Sequence, residues 1–220
     1  QARFKLSKEL NEASPDNVDF KSALAATFSQ LGMFYQQHYP GNSLALTNLE
    51  WSENEYKELT KNYPDFVDFQ NTLKEIQKVI FEIKHDPIFL IKTRIHNTPD
   101  TLTQYQLYKT LCDSIRIRLV LKPEYKSNLA DALNSRAWLG FFFKKFAEVE
   151  ADIREAIALQ TDNKYLMTNL APALLLQGKQ KAAIAEYQKW KDKPFEEVGL
   201  TTYKAAFLDD LNAFEKAGII

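Results

Sequence analysis

Two stretches near the C-terminus repeat one residue pattern with a period of 34 residues. Small or apolar residues occupy three positions of residues 130–163 and recur 34 positions later in residues 164–193: Ala137, Val149 and Ile153, then Ala171, Ala183 and Tyr187. A period of roughly 20 to 50 residues is typical of arrays in which each supersecondary unit buries its apolar face only against its neighbours. Such arrays serve mainly as binding surfaces, so the pattern favours a binding module over an enzyme.

The rest of the chain is also predicted to be helical. Only six glycines and eight prolines occur in 220 residues, and alternation of β-branched residues over strand-length windows is nearly absent. Periodicity and capping residues predict helices at about 18–37, 44–61, 65–84, 98–120, 123–144, 147–159, 164–176, 181–190 and 202–217. Residues 85–97 fit a short helix or a buried extended connector, and we favour the helix. The predicted fold class is all-α, an α-α superhelix of helical hairpins (a solenoid) with about nine helices.

Composition excludes several classes of function. The formal net charge is −1, whereas binding to a phosphate backbone requires a concentrated basic face, so we predict no nucleic-acid partner. The most apolar stretch, residues 137–143, ends at Lys144 and Lys145, and we therefore predict no membrane insertion. Cys112 is the single cysteine, which rules out a disulfide within the chain and predicts a buried, inert thiol.

Two features bear on the cellular compartment. A single cysteine is compatible with the cytoplasm and with export. The chain begins Gln1-Ala2 without an initiator Met, as expected when a preceding segment has been removed, and this favours a periplasmic or secreted protein over a cytoplasmic one.

The repeated stretches resemble the tetratricopeptide repeat (TPR) family. The family places a small residue where the two helices of a hairpin touch, a large aliphatic or aromatic residue in the second helix, and a small residue one turn later. In the first repeat these positions hold Ala137, Ile153 and Ala156; the second repeat matches at Leu170, Ala171, Leu174, Gly178, Ala183 and Tyr187. Arg136 stands where Leu is usual. Trp190 stands where a small residue is usual, which predicts that regular stacking ends there.

A weaker copy of the motif lies near the N-terminus. Leu31, Gly32 and Tyr35 resemble its first helix, and Tyr56 and Pro64 resemble its second helix and exit. The predicted organisation is therefore an N-terminal helical region with one degenerate hairpin (1–129), two TPR-like repeats (130–193) and a C-terminal capping helix (194–220), together forming one continuous array.

Residues 130–218 resemble a narrower group, a bacterial TPR subgroup found in large multidomain proteins. The resemblance rests on residues 137–138, 146–148, 190–195, Tyr203 and 207–211. In that subgroup the array is often joined to a caspase-like peptidase domain or a β-propeller.

The resemblance also implies a binding face, because the first helix of each TPR hairpin lines a concave groove. Carried over, that face consists of Asn134, Trp138, Phe141, Phe142, Tyr165, Thr168, Asn169, Pro172 and Leu175. It predicts a protein or peptide partner bound by aromatic anchors, with Trp138, Phe141 and Tyr165 as candidates. The Lys, Asn and Arg clamp of relatives that bind C-terminal carboxylates is missing, so recognition of a free C-terminus is not predicted.

The alternative is that these aromatic residues are core. In that case the chain's own N-terminal helices cover them, since aromatic stripes at helical spacing are more often buried than free. The protein would then be a structural scaffold with a self-occupied groove, and a homo-oligomer.

Catalytic patterns are scarce. His38, His85 and His96 are scattered over turns and a connector and are predicted to be surface residues. The acidic pairs Asp209-Asp210 and Glu196-Glu197 are adjacent, so a helix points their members in different directions, and we predict solvated faces. We predict no enzyme activity, no catalytic or metal-binding residues and no cofactor; a helical enzyme with an unrecognised site is the minor alternative.

Overall fold

The computed structural model describes residues 2–38, 42–197 and 200–220. Within them it contains eleven α-helices, a short 3-10 turn (Pro123–Tyr125) and one antiparallel β-hairpin. The helices are α1 (Ala2–Ala13), α2 (Val18–His38), α3 (Ser43–Asn62), α4 (Val67–Lys84), α5 (Pro87–His96), α6 (Thr101–Leu119), α7 (Lys126–Phe142), α8 (Phe146–Leu159), α9 (Lys164–Leu176), α10 (Gln180–Trp190) and α11 (Tyr203–Lys216); the strands are β1 (Pro194–Glu197) and β2 (Leu200–Thr202). Consecutive helices pack in pairs. This confirms the all-α class of TPR-like helical hairpins, with eleven described helices in place of about nine.

The chain divides into two compact units, Gln1–Lys92 and Thr93–Ile220. In the first unit α2, α3 and α4 surround a core that includes Leu49, Tyr56 and Ile76. Gly32 marks the closest approach of α2 to α3, because a Cβ atom there would lie 2.6 Å from Leu49 Cγ and 3.0 Å from the Ala45 carbonyl oxygen. The small residue of the degenerate motif thus sits where two helices touch.

The second unit contains the two hairpins that carry the 34-residue repeat. The first hairpin is α7 with α8 and the second is α9 with α10. Their recurring small residues, Ala137, Ala171 and Ala183, are all fully buried. The repeat period therefore corresponds to positions where one helix presses on the next. The predicted division at residue 130 and the continuity of the array stay predictions.

The departure from the motif at Arg136 has a structural reason. Arg136 on α7 and Asp152 on α8 form a bidentate ion pair, with Nε 2.6 Å from Oδ2, inside the hairpin. Asp152 is 3% exposed. Burial opposes the charge on Arg136, but the hydrogen bonds to Asp152 and the attraction of its negative charge together outweigh burial and raise the pKa of the guanidinium. A charged pair thus replaces the usual apolar contact between the two helices.

Three local features differ from the sequence-based expectations. The sequence predicts neither helix α1 nor the hairpin of β1 and β2 that follows α10. Helix α6 begins at Thr101 instead of Pro99, because the Asp100 carboxylate accepts a hydrogen bond from the Thr103 amide at 2.7 Å and caps the helix. The predicted break at 38–42 falls partly on residues 39–41, which lie outside the described residues.

Helix α11 packs on α9 after the β-hairpin. Thr202 caps it, its hydroxyl accepting from the Ala205 amide at 3.3 Å. Aromatic and small residues form the contact: Met167 and Ala171 from α9, with Phe195, Tyr203, Ala206 and Phe207. This packing brings the C-terminal helix beside the α9 residues that the TPR resemblance assigns to partner binding, so that Asp210 lines a cavity with Tyr165 and Thr168.

Candidate partner-binding groove

One cavity gathers most of the residues predicted to bind a partner. It has a volume of about 250 Å³ and is lined by Asn134, Trp138, Tyr165, Thr168, Asn169 and Asp210. We call it the α7–α9–α11 cavity, since its lining comes from those three helices. The first two residues are one turn apart on α7, and the next three share one face of α9 because they are spaced by three and four positions. Five of the nine residues of the predicted face therefore line one cavity, and Asp210 joins them from α11.

A hydrogen bond between carboxamides links α7 to α9 at the cavity. Asn169 Nδ2 donates to Asn134 Oδ1 at 2.8 Å. Asn169 is only 5% exposed, and its Oδ1 atom has no hydrogen-bond partner in the described structure. An unpaired buried acceptor costs about 1–3 kcal/mol. The carboxamide of Asn169 therefore has an unsatisfied acceptor next to the cavity.

Asp210 contributes a second acceptor. It is half-buried on the apolar face of α11, three residues after Phe207 and four before Phe214, both of which are buried. Burial, and then the neighbouring Asp209 charge, raise the pKa of Asp210 to about 7, and a hydrogen bond with Thr168 opposes part of this rise. The Thr168 hydroxyl also donates to the Tyr165 carbonyl oxygen at 2.9 Å, so it cannot fully satisfy the carboxylate.

The expectation of a solvated acidic pair is thus wrong for Asp210 and confirmed for Asp209, which is exposed. Helical periodicity is the signal that separates them, because position 210 shares a face with Phe207 and Phe214 and position 209 does not. The side chains of Glu196 and Glu197 lie outside the described residues.

The predicted aromatic anchors differ in accessibility. Phe141 is fully buried, and its ring centre lies 4.6 Å from that of Phe214 on α11. Trp138 is half-buried, 5.5 Å from the same ring. Tyr165 and Phe142 are 44% and 38% exposed. Phe141 is therefore a core residue and not a free anchor. The alternative interpretation expected the N-terminal helices to cover it, whereas the C-terminal helix α11 does so.

The last two residues of the predicted face contribute less. Leu175 is half-buried and Pro172 is buried, and neither lines the cavity. A neighbouring cavity of about 290 Å³ shares Asn134 and Trp138 and extends to Gln104 and Tyr108 on α6. Polar and aromatic surface therefore continues on both sides of these two α7 residues.

The cysteine and the histidines behave as the sequence predicts. Cys112 is fully buried, and burial raises the pKa of its thiol to about 12, which confirms an inert thiol. His38, His85 and His96 are exposed. Across residues 2–38, 42–197 and 200–220, no three His, Cys, Asp or Glu side chains cluster closely enough to hold a metal ion. In the same part of the chain, every helix is too short or too polar to cross a bilayer.

Comparisons with known proteins show a similarity in structure but none in sequence. No protein-family model matches the chain, and no curated protein matches it in sequence. A thermophilic TPR protein from Thermus thermophilus is similar in structure, with 17% sequence identity and a TM-score of 0.37 over 95% of this chain and 89% of that chain. The TPR-like architecture is visible in this chain itself, in its consecutive helical hairpins and in the 34-residue recurrence of buried small residues.

Proposed function

We propose that this chain is a protein-interaction module that binds a protein segment over the α7–α9–α11 cavity. The observation that carries the proposal is the convergence of Asn134, Trp138, Tyr165, Thr168 and Asn169 on one cavity from two different helices. Hairpin arrays commonly present such faces to peptides. The face offers aromatic surface for contact and unpaired acceptors for orientation.

Tyr165 and Phe142 supply the apolar area that a partner could cover. Both are large aromatic side chains with more than a third of their surface exposed. Burying an aromatic side chain contributes roughly 1.5–3 kcal/mol, and anchors near the centre of an interface dominate its affinity. Two such anchors therefore contribute roughly 3–6 kcal/mol to binding, before the entropic cost of association is subtracted.

Selection from a random peptide library tests this proposal. Peptides enriched on the wild-type chain should lose about ten-fold or more in affinity for a Tyr165→Ala variant, because the exposed ring is removed with little change to the core. Ile184→Ala is the matched control, since Ile184 on α10 is 52% exposed and does not line the cavity. The proposal fails if no peptide is enriched, or if Tyr165→Ala binds the enriched peptides as well as Ile184→Ala does.

A second candidate function is a structural scaffold with a self-occupied groove. It is favoured by Phe214, which is fully buried and packs against both Trp138 and Phe141. Under this alternative, sedimentation velocity of the purified chain shows a stable dimer without any added partner. A monomer that binds library peptides through Tyr165 favours the interaction module.

A further inference from the structure

We propose that the α7–α9–α11 cavity takes the guanidinium group of an arginine side chain in the bound protein segment, with the Asp210 carboxylate as its counter-charge. This inference rests on the proposed function, because it names the chemistry that the partner brings to the same surface.

The cavity is lined by two acceptor groups that the described residues satisfy only in part. Asn169 Oδ1 is buried without a partner in the described structure. Asp210 forms no ion pair with a Lys, Arg or His within the part of the chain that the structure describes, although it is half-buried. A buried carboxylate without a cation is strongly disfavoured. A ligand that fills this cavity must therefore bring several N–H donors and a positive charge.

The aromatic walls favour a guanidinium over an ammonium. Trp138 and Tyr165 line the cavity beside the two acceptors. A guanidinium is planar, stacks on aromatic faces and presents five donors. It is also more weakly hydrated than an ammonium, so it loses less hydration free energy when it enters a half-buried site. Its five donors can pair with more than one acceptor at once.

The charges around Asp210 make such binding depend on pH. Asp209 on α11 and Tyr187 on α10 act on it electrostatically, and among the described residues that line the cavity the only other ionisable side chain is Tyr165 on α9. Lys164 lies 5.4 Å from the Tyr165 ring centre but does not line the cavity. Since burial raises the pKa of Asp210 to about 7, its carboxylate forms mainly above neutrality. Affinity for arginine should therefore increase from about pH 6 to about pH 8.

Three pentapeptide probes test the assignment: acetyl-Gly-Gly-Arg-Gly-Gly-amide and the same peptide with citrulline or lysine at its centre. Citrulline keeps the shape of arginine but is neutral. Binding is followed by NMR through the Trp138 indole and the Asn169 side-chain amide near pH 8. We expect the arginine peptide to bind about ten-fold or more tightly than the citrulline peptide, and more tightly than the lysine peptide.

Two variants form a matched pair. Asp210→Asn removes the counter-charge without changing the shape of the side chain. It should abolish both the preference for arginine over citrulline and the increase in affinity for arginine with pH. Asp209→Asn removes an exposed carboxylate one residue away. It should preserve the preference for arginine and the increase in affinity with pH, but the increase should begin at a lower pH because the Asp209 charge no longer raises the pKa of Asp210.

Several results would overturn the assignment. These are equal binding of the arginine and citrulline peptides, a lysine peptide as tight as the arginine peptide, or the same loss in Asp209→Asn as in Asp210→Asn. Library peptides that need Tyr165 but show no preference for arginine would refute this inference and leave the proposed function standing. Loss of library binding as well would refute both.

Discussion

At the scale of single residues, Asp210 stands out because a carboxyl group occupies the apolar face of a helix. Its neighbours on that face, Phe207 and Phe214, are buried. The free energy of folding is therefore tied to the protonation of this one group. A site built to receive a cation would be expected to show such a penalty while it is empty.

Replacement of Asp210 by Asn should stabilise the protein, and more so at high pH. The pKa of Asp210 is about 7 in the folded state and about 3.9 when unfolded, so between these values the folded state holds a proton that the unfolded state has lost. The contribution of Asp210 to the free energy of unfolding therefore falls as the pH rises from about 4 to about 7. A difference of about 3 pKa units corresponds to at most about 4 kcal/mol. We expect Asp210→Asn to raise the free energy of unfolding by about 2–4 kcal/mol at pH 8 and by much less near pH 4, measured by urea denaturation.

The control for this prediction is Asp209→Asn, since Asp209 is exposed. It should change the free energy of unfolding by less than about 0.5 kcal/mol near pH 4. At pH 8 its stabilising effect should be much smaller than that of Asp210→Asn, because burial raises the pKa of Asp210 more than the Asp209 charge does. An equal effect of Asp210→Asn at both pH values would show that its carboxyl does not titrate as described.

Gly32 is a second residue whose identity the packing requires. An alanine in a helix interior is normally more stable than a glycine by about 1 kcal/mol. At position 32, however, the new Cβ would lie 2.6 Å from Leu49 Cγ and 3.0 Å from the Ala45 carbonyl oxygen. We therefore expect Gly32→Ala to destabilise the chain by about 1–3 kcal/mol in thermal or urea unfolding.

A double-mutant cycle with Leu49→Ala separates the steric cause from others. Leu49→Ala alone should destabilise, because Leu49 is fully buried. In the double variant the clash with the Leu49 side chain is relieved. The stability lost by the double variant should therefore be smaller than the sum of the losses in the two single variants. Simple additivity would contradict a contact between the two positions.

At the scale of secondary-structure elements, the α7–α8 hairpin is joined by the Arg136–Asp152 ion pair where the TPR motif normally has an apolar residue. Removing one member of a buried pair leaves an uncompensated charge, whereas replacing both with apolar residues can be nearly neutral. We expect Arg136→Leu alone to destabilise by about 3–5 kcal/mol and Arg136→Leu with Asp152→Leu by far less, measured by urea denaturation.

The exposed i,i+4 pair of Lys8 and Glu12 on α1 provides the comparison. Its single substitutions should cost less than about 1 kcal/mol, because exposed ion pairs contribute little. If the Arg136→Leu single variant and the Arg136→Leu, Asp152→Leu double variant lose equal stability, the ion pair is not what couples α7 to α8.

Elements with strong local signals can be predicted from the sequence almost to the residue. The range 164–176 agrees with α9, because Asn163 caps that helix through its side-chain oxygen, which accepts from the Tyr165 amide at 3.1 Å. Helix α1 escapes prediction because its apolar residues are few; Leu6 is 57% exposed, and Phe4 depends on the distant Phe28 ring for its contact. The hairpin of β1 and β2 cannot be predicted from the sequence, because strands this short show almost no alternation of apolar and polar residues.

The candidate site shows the same division between local and tertiary information. The 34-residue register indicates which α7 and α9 residues share a face, and five of them line one cavity. It cannot indicate which distant helix covers that face. The burial of Phe141 and the presence of Asp210 both depend on α11, which reaches the cavity only through tertiary packing.

At the scale of the whole molecule, the chain consists of two compact units whose boundary falls inside α5. Phe89, in the part of that helix before the boundary, packs with the core of the first unit. The linker after it, residues 97–100, precedes the first turn of α6 and ends in the Asp100 cap. A fragment that begins at residue 98 therefore keeps α6 and every later helix whole and the first cap intact.

We expect the fragment 98–220 to fold without the first unit. It retains the Arg136–Asp152 pair, the α9–α11 core and the complete α7–α9–α11 cavity, and at 123 residues it is of ordinary size for a domain. Circular dichroism should show a single cooperative thermal transition, and Asp210→Asn should stabilise the fragment at pH 8 as it does the full chain. A fragment 146–220 is the control, because it lacks α7, leaves Asp152 without Arg136 and exposes Phe214, so it should melt without cooperativity. If 98–220 melts as gradually as 146–220, the second unit depends on the first for its stability, and the cavity must be studied only in the full chain.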